Sequence, residues 1–447
     1  MNYYLISPKA DGKTINGFIE KMFDQHIVMM GWSVDDSKIG ENFNQLENGD
    51  FVIVAQRVNW KFNYFFAGII DDDASYEDKK GFQCRKLRNF VDLRTATTDY
   101  LADASFAEMR AIKAMMAINH QKNSHVISIL DTIIQKQMEQ EQVDYYINLL
   151  IGNHNLILTG APGTGKTYLA KQIAQQMIFG EVKENITEER KQFNEQCGFV
   201  QFHPSYDYTD FVEGLRPVNK DGQLVFERKD GSFMEFCRRA LDSYNNALEK
   251  TNAPKYVFII DEINRGEMSK IFGELFFSID PGYRGVKGRV LTQYNNLIEE
   301  GDVFKNGFYV PENVYIIGTM NDIDRSVESM DFAFRRRFAF KEIGAEERTI
   351  MLDEKIPEQA EKAKERMKNL NLAIETIEGL SKAYHIGPAY FLKLKNYLND
   401  KKPWDSLWNN HLEGLLREYL RGMPEAVENL KSLAKAYGYE SDSNNGQ

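Results

Sequence analysis

The sequence predicts an α/β protein built on a parallel sheet, followed by a helical subdomain and preceded by a small β-rich domain. Four short, almost wholly apolar runs alternate with segments of helix-forming composition, a pattern typical of strands that are buried on both faces. A glycine-rich loop joins the first run to a helix-forming segment, and the chain after Gly344 is mostly helix-forming. The four runs are Leu156–Leu158, Gly198–Phe202, Tyr256–Ile260 and Val314–Gly318.

The region before the sheet divides into two parts. Residues 1–100 are β-rich and favour a small mixed barrel or curled sheet, with one predicted helix over Gly17–Phe23. Strands are predicted at Tyr3–Ile6, Asp50–Ala55 and Tyr64–Ile70. Residues 101–150 form a predicted helical connector, in which one helical run reaches Ala117 and another covers Val126–Leu150.

The rest of the chain contains the sheet and the helices after it. Residues 151–344 are expected to form the α/β core, residues 345–437 the helical subdomain, and residues 438–447 a polar tail that frays. Within the core, the pairs Asp221-Gly222 and Asp230-Gly231 predict the turns of a projecting hairpin.

The composition restricts the class of protein. A chain of 447 residues, with a hydrophobic fraction of 43%, is long enough for roughly two to four globular domains. Its formal net charge of −11 argues against a generally basic nucleic-acid-binding surface but leaves room for a local basic patch. The cysteines Cys84, Cys197 and Cys237 form no CxxC pair, so neither a zinc site nor a disulfide framework is expected. The sequence shows no signal peptide and no membrane-spanning run, which predicts a cytoplasmic protein.

The glycine-rich loop matches the phosphate-binding pattern GxxxxGK[ST] at each position. It follows a predicted strand and precedes a predicted helix, Tyr168–Phe179, which is the context that the pattern requires. Its backbone N–H groups can turn towards phosphate oxygens, and the helix N-terminus favours anions. Lys166 supplies a positive charge for the β- and γ-phosphates, and Thr167 supplies a hydroxyl for Mg²⁺. The candidate nucleotide-binding residues are Gly160, Pro162, Gly163, Thr164, Gly165, Lys166 and Thr167.

Two carboxylates follow the apolar run Tyr256–Ile260. In an enzyme with a phosphate-binding loop, an aspartate at such a strand end helps to hold Mg²⁺, which assigns Asp261 to the nucleotide and its metal. The next residue, Glu262, is placed to orient or deprotonate the attacking water. An Asp-Glu pair after a strand is by itself more often a solvated turn, so the phosphate-binding loop upstream is what favours a catalytic role.

A third polar residue, Asn321, follows the apolar run that ends at Gly318. At this strand end its side chain could reach the γ-phosphate or the attacking water. The alternative is that Asn321 caps the turn that follows it.

Three consecutive arginines, Arg335, Arg336 and Arg337, stand between two phenylalanines. They form either a solvated basic face or an arginine finger, a guanidinium that neutralises phosphate charge in a neighbouring subunit. For the finger we favour Arg336 and Arg337.

Taken together, these motifs resemble those of AAA+ motors and, more narrowly, those of the McrB family. The resemblance extends over about residues 155–421 and is carried by the loop and by DEINR, MNDIDR and FRRRF around the residues named above. Further matching segments are Gln201–Tyr206, Asp210–Pro217, Ser269–Leu275, Ile386–Phe391 and Leu415–Leu420.

The resemblance implies an AAA+ core with a C-terminal helical lid, which uses GTP, with ATP left open, together with Mg²⁺. McrB-like motors assemble as rings, commonly hexamers, and work with a separate McrC-like endonuclease. No nuclease motif is visible in this sequence, which fits a motor that needs a nuclease partner. Where the lid of the family commonly has IGHSYF, this chain has Pro388 and Ala389 as the central pair, which puts the contacts of that pair in question.

The N-terminal domain resembles the EVE/YTH-like fold in short matches around MGWS, GDFV, NW and FAGI. Such domains hold a modified or flipped base in an aromatic cage, which implies Trp32 and Trp60 as cage residues and Ser33 as a contact to the base edge. Tryptophans in a small β-domain are equally often part of its core. Basic residues that could meet phosphates, or instead form a solvated face, are Arg57, Lys61, Arg85, Lys86 and Arg88.

Three functions fit these patterns. The first is a GTP-hydrolysing motor of a restriction system, which recognises DNA carrying a modified base, with RNA left open, and drives a separate endonuclease. The second is an AAA+ ATPase that remodels proteins held by its N-terminal domain. The third is a nucleotide-dependent scaffold or switch with little turnover.

Overall fold

The computed structural model describes residues 2–7, 9–10, 13–14, 16–30, 43, 45–58, 61–79, 82–94, 115–118, 123–183, 186–187, 189–323 and 332–439. The chain forms two compact units, residues 1–142 and residues 143–447. No helix in these described ranges is both long enough and apolar enough to cross a lipid bilayer.

The first unit is built on one mixed sheet of seven strands. Its elements are β1 (Tyr3–Ile6), β2 (Lys9–Ala10), β3 (Lys13–Thr14), α1 (Asn16–Gln25), β4 (Ile27–Met30), β5 (Phe51–Val58), β6 (Lys61–Ile70), β7 (Tyr76–Glu77), β8 (Gln83–Asp92) and β9 (Met115–Ala117). The strand order is β4-β8-β6-β5-β1-β9, with β7 beside β8 and a separate ribbon of β2 and β3. Alternate residues of β5 enter two different cores, Phe51 and Ile53 on one face and Val52 and Val54 on the other, so both faces of the sheet are covered.

The predicted strands and the predicted helix of this unit are confirmed as β1, β5, β6 and α1. The predicted helical run up to Ala117 is wrong at its end, because Met115–Ala117 forms strand β9 and pairs antiparallel with β1. Met115 is buried there against the sheet. Pairing with a distant strand therefore overrides the local helical preference of this segment.

The core of the second unit is a five-stranded sheet in the order β11-β14-β15-β10-β16, with every pair parallel. Its elements are α2 (Ser124–Asn153), which begins in the first unit, β10 (Asn155–Thr159), α3 (Lys166–Phe179), α4 (Arg190–Gln196), β11 (Cys197–Gln201), α5 (Tyr208–Phe211), β12 (Glu213–Lys220), β13 (Gln223–Asp230), α6 (Ser232–Asn246), β14 (Tyr256–Asp261), α7 (Met268–Phe272), α8 (Leu275–Ser278), β15 (Val314–Thr319), α9 (Phe332–Arg335) and β16 (Ala339–Glu342). The four predicted core strands are confirmed. Every residue of β15 is buried, as expected for a strand covered on both faces.

The strand order explains where the polar strand ends meet. Strand β15 lies between β14 and β10, and all three run in the same direction. Their carboxyl ends therefore lie side by side at one edge of the sheet, where ligands bind in open α/β sheets. The loop after β10 and the residues after β14 and β15 carry the candidate site.

A hairpin of β12 and β13 projects from this core, with its turn at Asp221-Gly222 as predicted. The second Asp-Gly pair is not a hairpin turn, because Asp230 ends β13 and Gly231 precedes α6. A Cβ atom at Gly231 would lie 2.4 Å from the backbone carbon of Phe211. This glycine therefore marks a close approach of two chain segments rather than a turn.

The helices after the sheet form a lid with a core of its own, inside the predicted range 345–437. They are α10 (Ile350–Lys355), α11 (Ala360–Glu375), α12 (Pro388–Phe391), α13 (Pro403–Leu407), α14 (Glu413–Tyr419) and α15 (Ala426–Tyr437). Leu370, Phe391, Leu416 and Leu433 are fully buried in this core. In α11 the buried residues Ala363, Met367, Leu370 and Ile374 recur every three or four positions, as expected for a helix that packs one face against others.

Candidate functional site

The phosphate-binding loop lies between the end of β10 at Thr159 and the start of α3 at Lys166. All three of its glycines have a backbone conformation that other residues rarely adopt, and the φ of Gly163 is 78°. Gly160 has a φ of 138°, and a Cβ atom there would lie 2.4 Å from the carbonyl oxygen of Ile343. Gly165, which precedes the helix, has a φ of 87°. Side chains are therefore excluded from the places where the loop turns most sharply.

Lys166 is the buried cation of this loop, with 6% of its surface exposed. Its Nζ atom donates to the carbonyl oxygens of Gly160 at 2.9 Å and Ala161 at 2.8 Å, and to Oδ1 of Asn321 at 2.9 Å. Burial lowers the pKa of the ammonium group to about 8, although the nearby carboxylates of Glu262, Asp322 and Asp261 act in the opposite direction. Burial therefore disfavours the charged ammonium more than these carboxylates favour it.

Asp261 accepts hydrogen bonds from two hydroxyl groups, one on helix α3 and one on the neighbouring strand β15. Thr167 donates from Oγ1 to Oδ1 at 2.6 Å, and Thr319 donates from Oγ1 to the same oxygen at 2.7 Å. Thr319 ends β15, beside the end of β14, and we did not single it out from the sequence. The apolar run before Thr319 predicted the strand. That Thr319 contacts Asp261 could be known only once β14 and β15 were known to be neighbours.

Glu262 stands in a left-handed backbone conformation, with φ of 51° and ψ of 46°. Its Oε1 atom accepts a hydrogen bond from Nδ2 of Asn321 at 2.6 Å, and its Oε2 atom lies 3.3 Å from Nε of Arg265. Left-handed conformations are unfavourable for residues other than glycine and cluster at functional sites. The surrounding contacts therefore hold this carboxylate where the chain alone would not place it.

Asn321 connects the loop to the carboxylate. Its amide oxygen accepts from Lys166 while its amide nitrogen donates to Glu262, so both ends of one side chain are used inside the site. This arrangement favours the predicted role near the γ-phosphate over the alternative of a turn cap. The family signature continues into Asp324 and Arg325, which lie outside the described residues.

The three arginines differ in their surroundings. Arg335 and Arg336 are exposed, whereas only 9% of the surface of Arg337 is exposed to solvent. The Arg337 guanidinium donates to the carbonyl oxygen of Ala333 and lies 3.6 Å from a carboxylate oxygen of Asp280. Arg337 is therefore engaged within its own chain, and Arg336 is the better placed of our two finger candidates to reach a neighbouring subunit.

A cavity of about 960 Å³ opens between the loop and the lid. Lys166, Glu262 and Asn321 line it from the core, and Ala389 and Tyr390 line it from the lid. Pro388, the other member of the altered lid pair, is buried as the first residue of α12. The departure from the family pattern thus lies directly beside the phosphate-binding loop.

The residues present fit a nucleoside triphosphate with Mg²⁺. Among the described residues, the N–H groups of Gly163 and Thr164 donate to no other backbone group, which leaves them for phosphate oxygens. Lys166 adds the positive charge. Hydroxyl and carboxylate oxygens are the ligands that Mg²⁺ prefers, and Thr167 and Asp261 bring one of each together.

The pKa of Lys166 makes nucleotide binding dependent on pH. Phosphates raise the pKa of an adjacent ammonium, so a site that is neutral before binding must take up a proton on binding. We expect the affinity for nucleotide to be constant from pH 7.0 to near pH 8 and then to fall by up to about tenfold per pH unit. Equilibrium titration with a fluorescent nucleotide up to pH 9.5 measures this.

The matched control is Lys166→Arg, whose guanidinium stays charged throughout this range. Its affinity, although lower, should not depend on pH. A wild-type affinity that stays flat between pH 8 and pH 9.5 would contradict the lowered pKa.

The structure describes only some of the candidate residues in the first unit. Trp32, Ser33 and Trp60 lie outside the described residues, and the side chains of Arg57 and Lys61 are not described. Arg85 was wrong as a phosphate contact, because it is 1% exposed and its guanidinium is bound to Asp72 and to the carbonyl oxygen of Leu46. The described exposed members of that basic set are Lys86 and Arg88.

In this parallel sheet the phosphate-binding loop follows β10, an Asp-Glu pair follows β14, and a polar residue follows β15, which lies between those two strands. This arrangement defines a P-loop nucleoside triphosphatase. The comparison with protein families agrees. Residues 155–338 match the AAA domain of the dynein-related subfamily. Residues 362–428 match the McrB alpha-helical lid domain. The chain therefore carries an AAA domain followed by a helical lid domain of the McrB type.

Two curated relatives are similar to part of the chain. The EcoKMcrB subunit of a type IV methyl-directed restriction enzyme from Escherichia coli (strain K12) is 38% identical over 279 residues, which are 59% of this chain and 53% of the relative. The YdiS component of the type II restriction enzyme BsuMI from Bacillus subtilis (strain 168) is 26% identical over 213 residues, which are 42% of this chain and 56% of the relative. The chain thus matches about half the length of each.

Among solved structures, C. elegans PCH-2 matches with a TM-score of 0.23 at 15% identity, over 67% of this chain and 68% of that one. We infer nothing further from a similarity of this size.

Proposed function

We propose that this protein is a GTP-hydrolysing motor subunit of a modification-dependent restriction system. The observation that carries the proposal is the pairing of an intact triphosphatase site with a McrB-type lid on one chain. Both curated relatives are named as parts of restriction enzymes, one of them methyl-directed. GTP rather than ATP, and a McrC-like endonuclease as partner, are the finer parts of this proposal and rest on the resemblance to the McrB family.

The hydrolysis step follows from the site. Glu262 accepts a proton from the attacking water, and Asn321 holds the carboxylate in place through its amide. Lys166 and the loop amides stabilise the charge on the phosphates. Thr167 and Asp261 would hold Mg²⁺, which would supply neutralisation of the phosphate charge.

The first unit is proposed to recognise the modified base. Trp32, Ser33 and Trp60 remain its candidate residues, with Lys86 and Arg88 as candidates for phosphate contacts. DNA is the proposed ligand, and RNA is the alternative outcome of the same binding experiment.

The test of the whole proposal is a turnover assay of the full-length chain. GTP and ATP are compared with and without a McrC-like endonuclease, and with DNA that carries or lacks modified cytosine. We expect GTP hydrolysis to rise with the endonuclease, and cleavage to require the modification. Absence of turnover of either nucleotide under every combination would reject the proposal.

The arginine-finger prediction is tested by substitution. We expect Arg336→Ala to lower turnover by about 10³-fold or more while leaving nucleotide affinity unchanged, because a finger acts on the phosphates of the neighbouring subunit. Arg337→Ala should instead lower the midpoint of thermal unfolding, since it leaves Asp280 without its buried partner. Steady-state hydrolysis and thermal unfolding measure the two effects.

Mixed rings provide the sharper readout. Arg336→Ala and Lys166→Ala chains are each inactive alone, but in a mixed ring one intact finger can face one intact loop, so activity should reappear. The matched control is Arg335→Ala, which removes the exposed arginine next to it and should keep turnover. The assignment of Arg336 would be contradicted if mixed assemblies recovered no turnover. It would also be contradicted if Arg335→Ala, and not Arg336→Ala, lost turnover.

A further inference from the structure

The lid contacts the phosphate-binding loop through its backbone. The N–H group of Gly387 donates to the carbonyl oxygen of Pro162 at 2.9 Å, and that of Ala389 donates to the carbonyl oxygen of Gly163 at 3.0 Å. Both acceptors lie in the middle of the loop, and both donors lie at the start of α12. We call these two hydrogen bonds the lid clasp.

By holding two carbonyl groups, the lid clasp also orients the N–H groups of the same two peptides. A trans peptide is planar, so its C=O and N–H groups point in nearly opposite directions. The carbonyl of Pro162 shares its peptide with the N–H of Gly163, and the carbonyl of Gly163 shares its peptide with the N–H of Thr164. When the lid holds the two carbonyls towards itself, it also turns these two N–H groups away from itself.

The segment that carries the donors is held from inside the lid. Asn371, which is 2% exposed, lies in the C-terminal part of α11. It donates from Nδ2 to the carbonyl oxygen of Ile386 at 3.1 Å and accepts from the N–H of Ile386 at 2.8 Å. One buried amide thus uses both the donor and the acceptor of the residue directly before Gly387. Buried amides satisfied in this way fix one backbone geometry.

The approach at Gly387 leaves no room for a side chain. A Cβ atom there would lie 2.2 Å from the backbone carbon of Gly163 and 2.3 Å from the backbone nitrogen of Thr164. On the other side, a Cβ atom at Gly163 would lie 2.6 Å from the ring of Tyr390. The loop and the lid are therefore in direct backbone contact at the two peptides that carry the candidate phosphate donors.

We infer that the lid clasp presets the N–H groups of Gly163 and Thr164 for phosphate, with Gly387 and Asn371 as positioning residues. The inference rests on the proposed nucleotide-binding function and adds a device to it. Groups that are already oriented cost less to order when the ligand arrives, so a preset loop binds more tightly than a loose one. The effect is on the phosphates alone and is the same for every nucleotide base.

The test is Gly387→Ala in the full-length chain, whose added methyl group would displace the lid from the loop. We expect the dissociation constants of Mg-GTP, Mg-ATP and inorganic pyrophosphate to rise by a common factor of about tenfold, the size expected for losing the alignment of charge-assisted hydrogen bonds. Because the added methyl group pushes the lid away from backbone atoms of the loop, the midpoint of thermal unfolding is expected to fall as well, so binding is measured at a temperature where circular dichroism shows the variant to be folded. A contact to the base would spare pyrophosphate.

The matched control is Gly414→Ala, a lid glycine in α14 where an added Cβ atom meets nothing within 4 Å. It should bind all three probes as the wild type does. A second variant replaces Ala389 by lactic acid through nonsense suppression, which exchanges only its N–H for an ester oxygen. We expect a common rise of about fivefold there, the size of one neutral hydrogen bond.

Full affinity of the folded Gly387→Ala chain, or a loss limited to the nucleotides with pyrophosphate unaffected, would overturn the inference. Full affinity of the ester variant would do the same even if the alanine variant failed to fold. A wild-type chain that binds none of the three probes would instead overturn the proposed function.

Discussion

The Lys166→Ala chain is expected to bind neither GTP nor ATP at concentrations where the wild type is saturated. Lys166 is the buried cation of the loop, and its ammonium contacts both the loop carbonyls and Asn321. Charge-assisted hydrogen bonds to phosphate contribute about 1.5–3 kcal/mol each, so the loss of two of them weakens binding by at least roughly 100-fold. Equilibrium titration with a fluorescent nucleotide analogue measures the loss.

The matched control is Lys171→Ala, which removes an exposed lysine from the same helix and leaves the loop intact. Its affinity should equal that of the wild type. Circular dichroism should show that both variants remain folded. If Lys166→Ala bound nucleotide with wild-type affinity, the assignment of the phosphate-binding loop would have to be abandoned.

The second large effect is expected for Glu262→Gln. The substitution keeps the size of the side chain and its ability to accept from Asn321, but removes the basic carboxylate that takes the proton of the attacking water. We expect turnover to fall by about 10²–10⁴-fold, while the affinity for nucleotide changes little. Single-turnover hydrolysis together with an independent binding titration separates the two quantities.

Glu267→Gln serves as the control, because Glu267 is an exposed carboxylate shortly after Glu262 in the sequence and forms an ion pair with Lys270. It should hydrolyse at the wild-type rate. If Glu262→Gln kept its turnover, the protein would need another base. If it kept biological function without turnover, a nucleotide-dependent switch would become the better description.

Much of the catalytic core could be predicted because its signals are local. A phosphate-binding loop depends on glycines and a lysine at fixed spacing, and an apolar run ending at Asp261 predicts a strand that ends in a carboxylate. The hydrogen bond between Thr167 and Asp261 then confirms that loop and strand end meet. Asn321 was found for the same reason, since it follows a strand of the same kind.

The remaining parts depend on which distant segments become neighbours. Thr319 gained its role only because β15 lies beside β14, and Asn371 looked like any polar residue of a helix. Strand β9 was missed because its pairing partner β1 is more than 100 residues away in the sequence, as the pair Ile6 and Met115 shows. Gly387 gave no signal beyond its place in a lid motif, since the need for glycine arises from contact with the loop.

The strand order also bears on how the protein is made. Strand β10 holds the loop, yet both of its sheet neighbours, β15 and β16, come much later in the chain, with Leu156 beside Ile317 on one side and Ala339 on the other. During synthesis the loop leaves the ribosome long before either neighbour exists, and non-local parallel pairing is slow to form. Nascent chains shorter than about residue 342 therefore lack a finished sheet around the loop, and the ability to retain nucleotide should emerge late in translation.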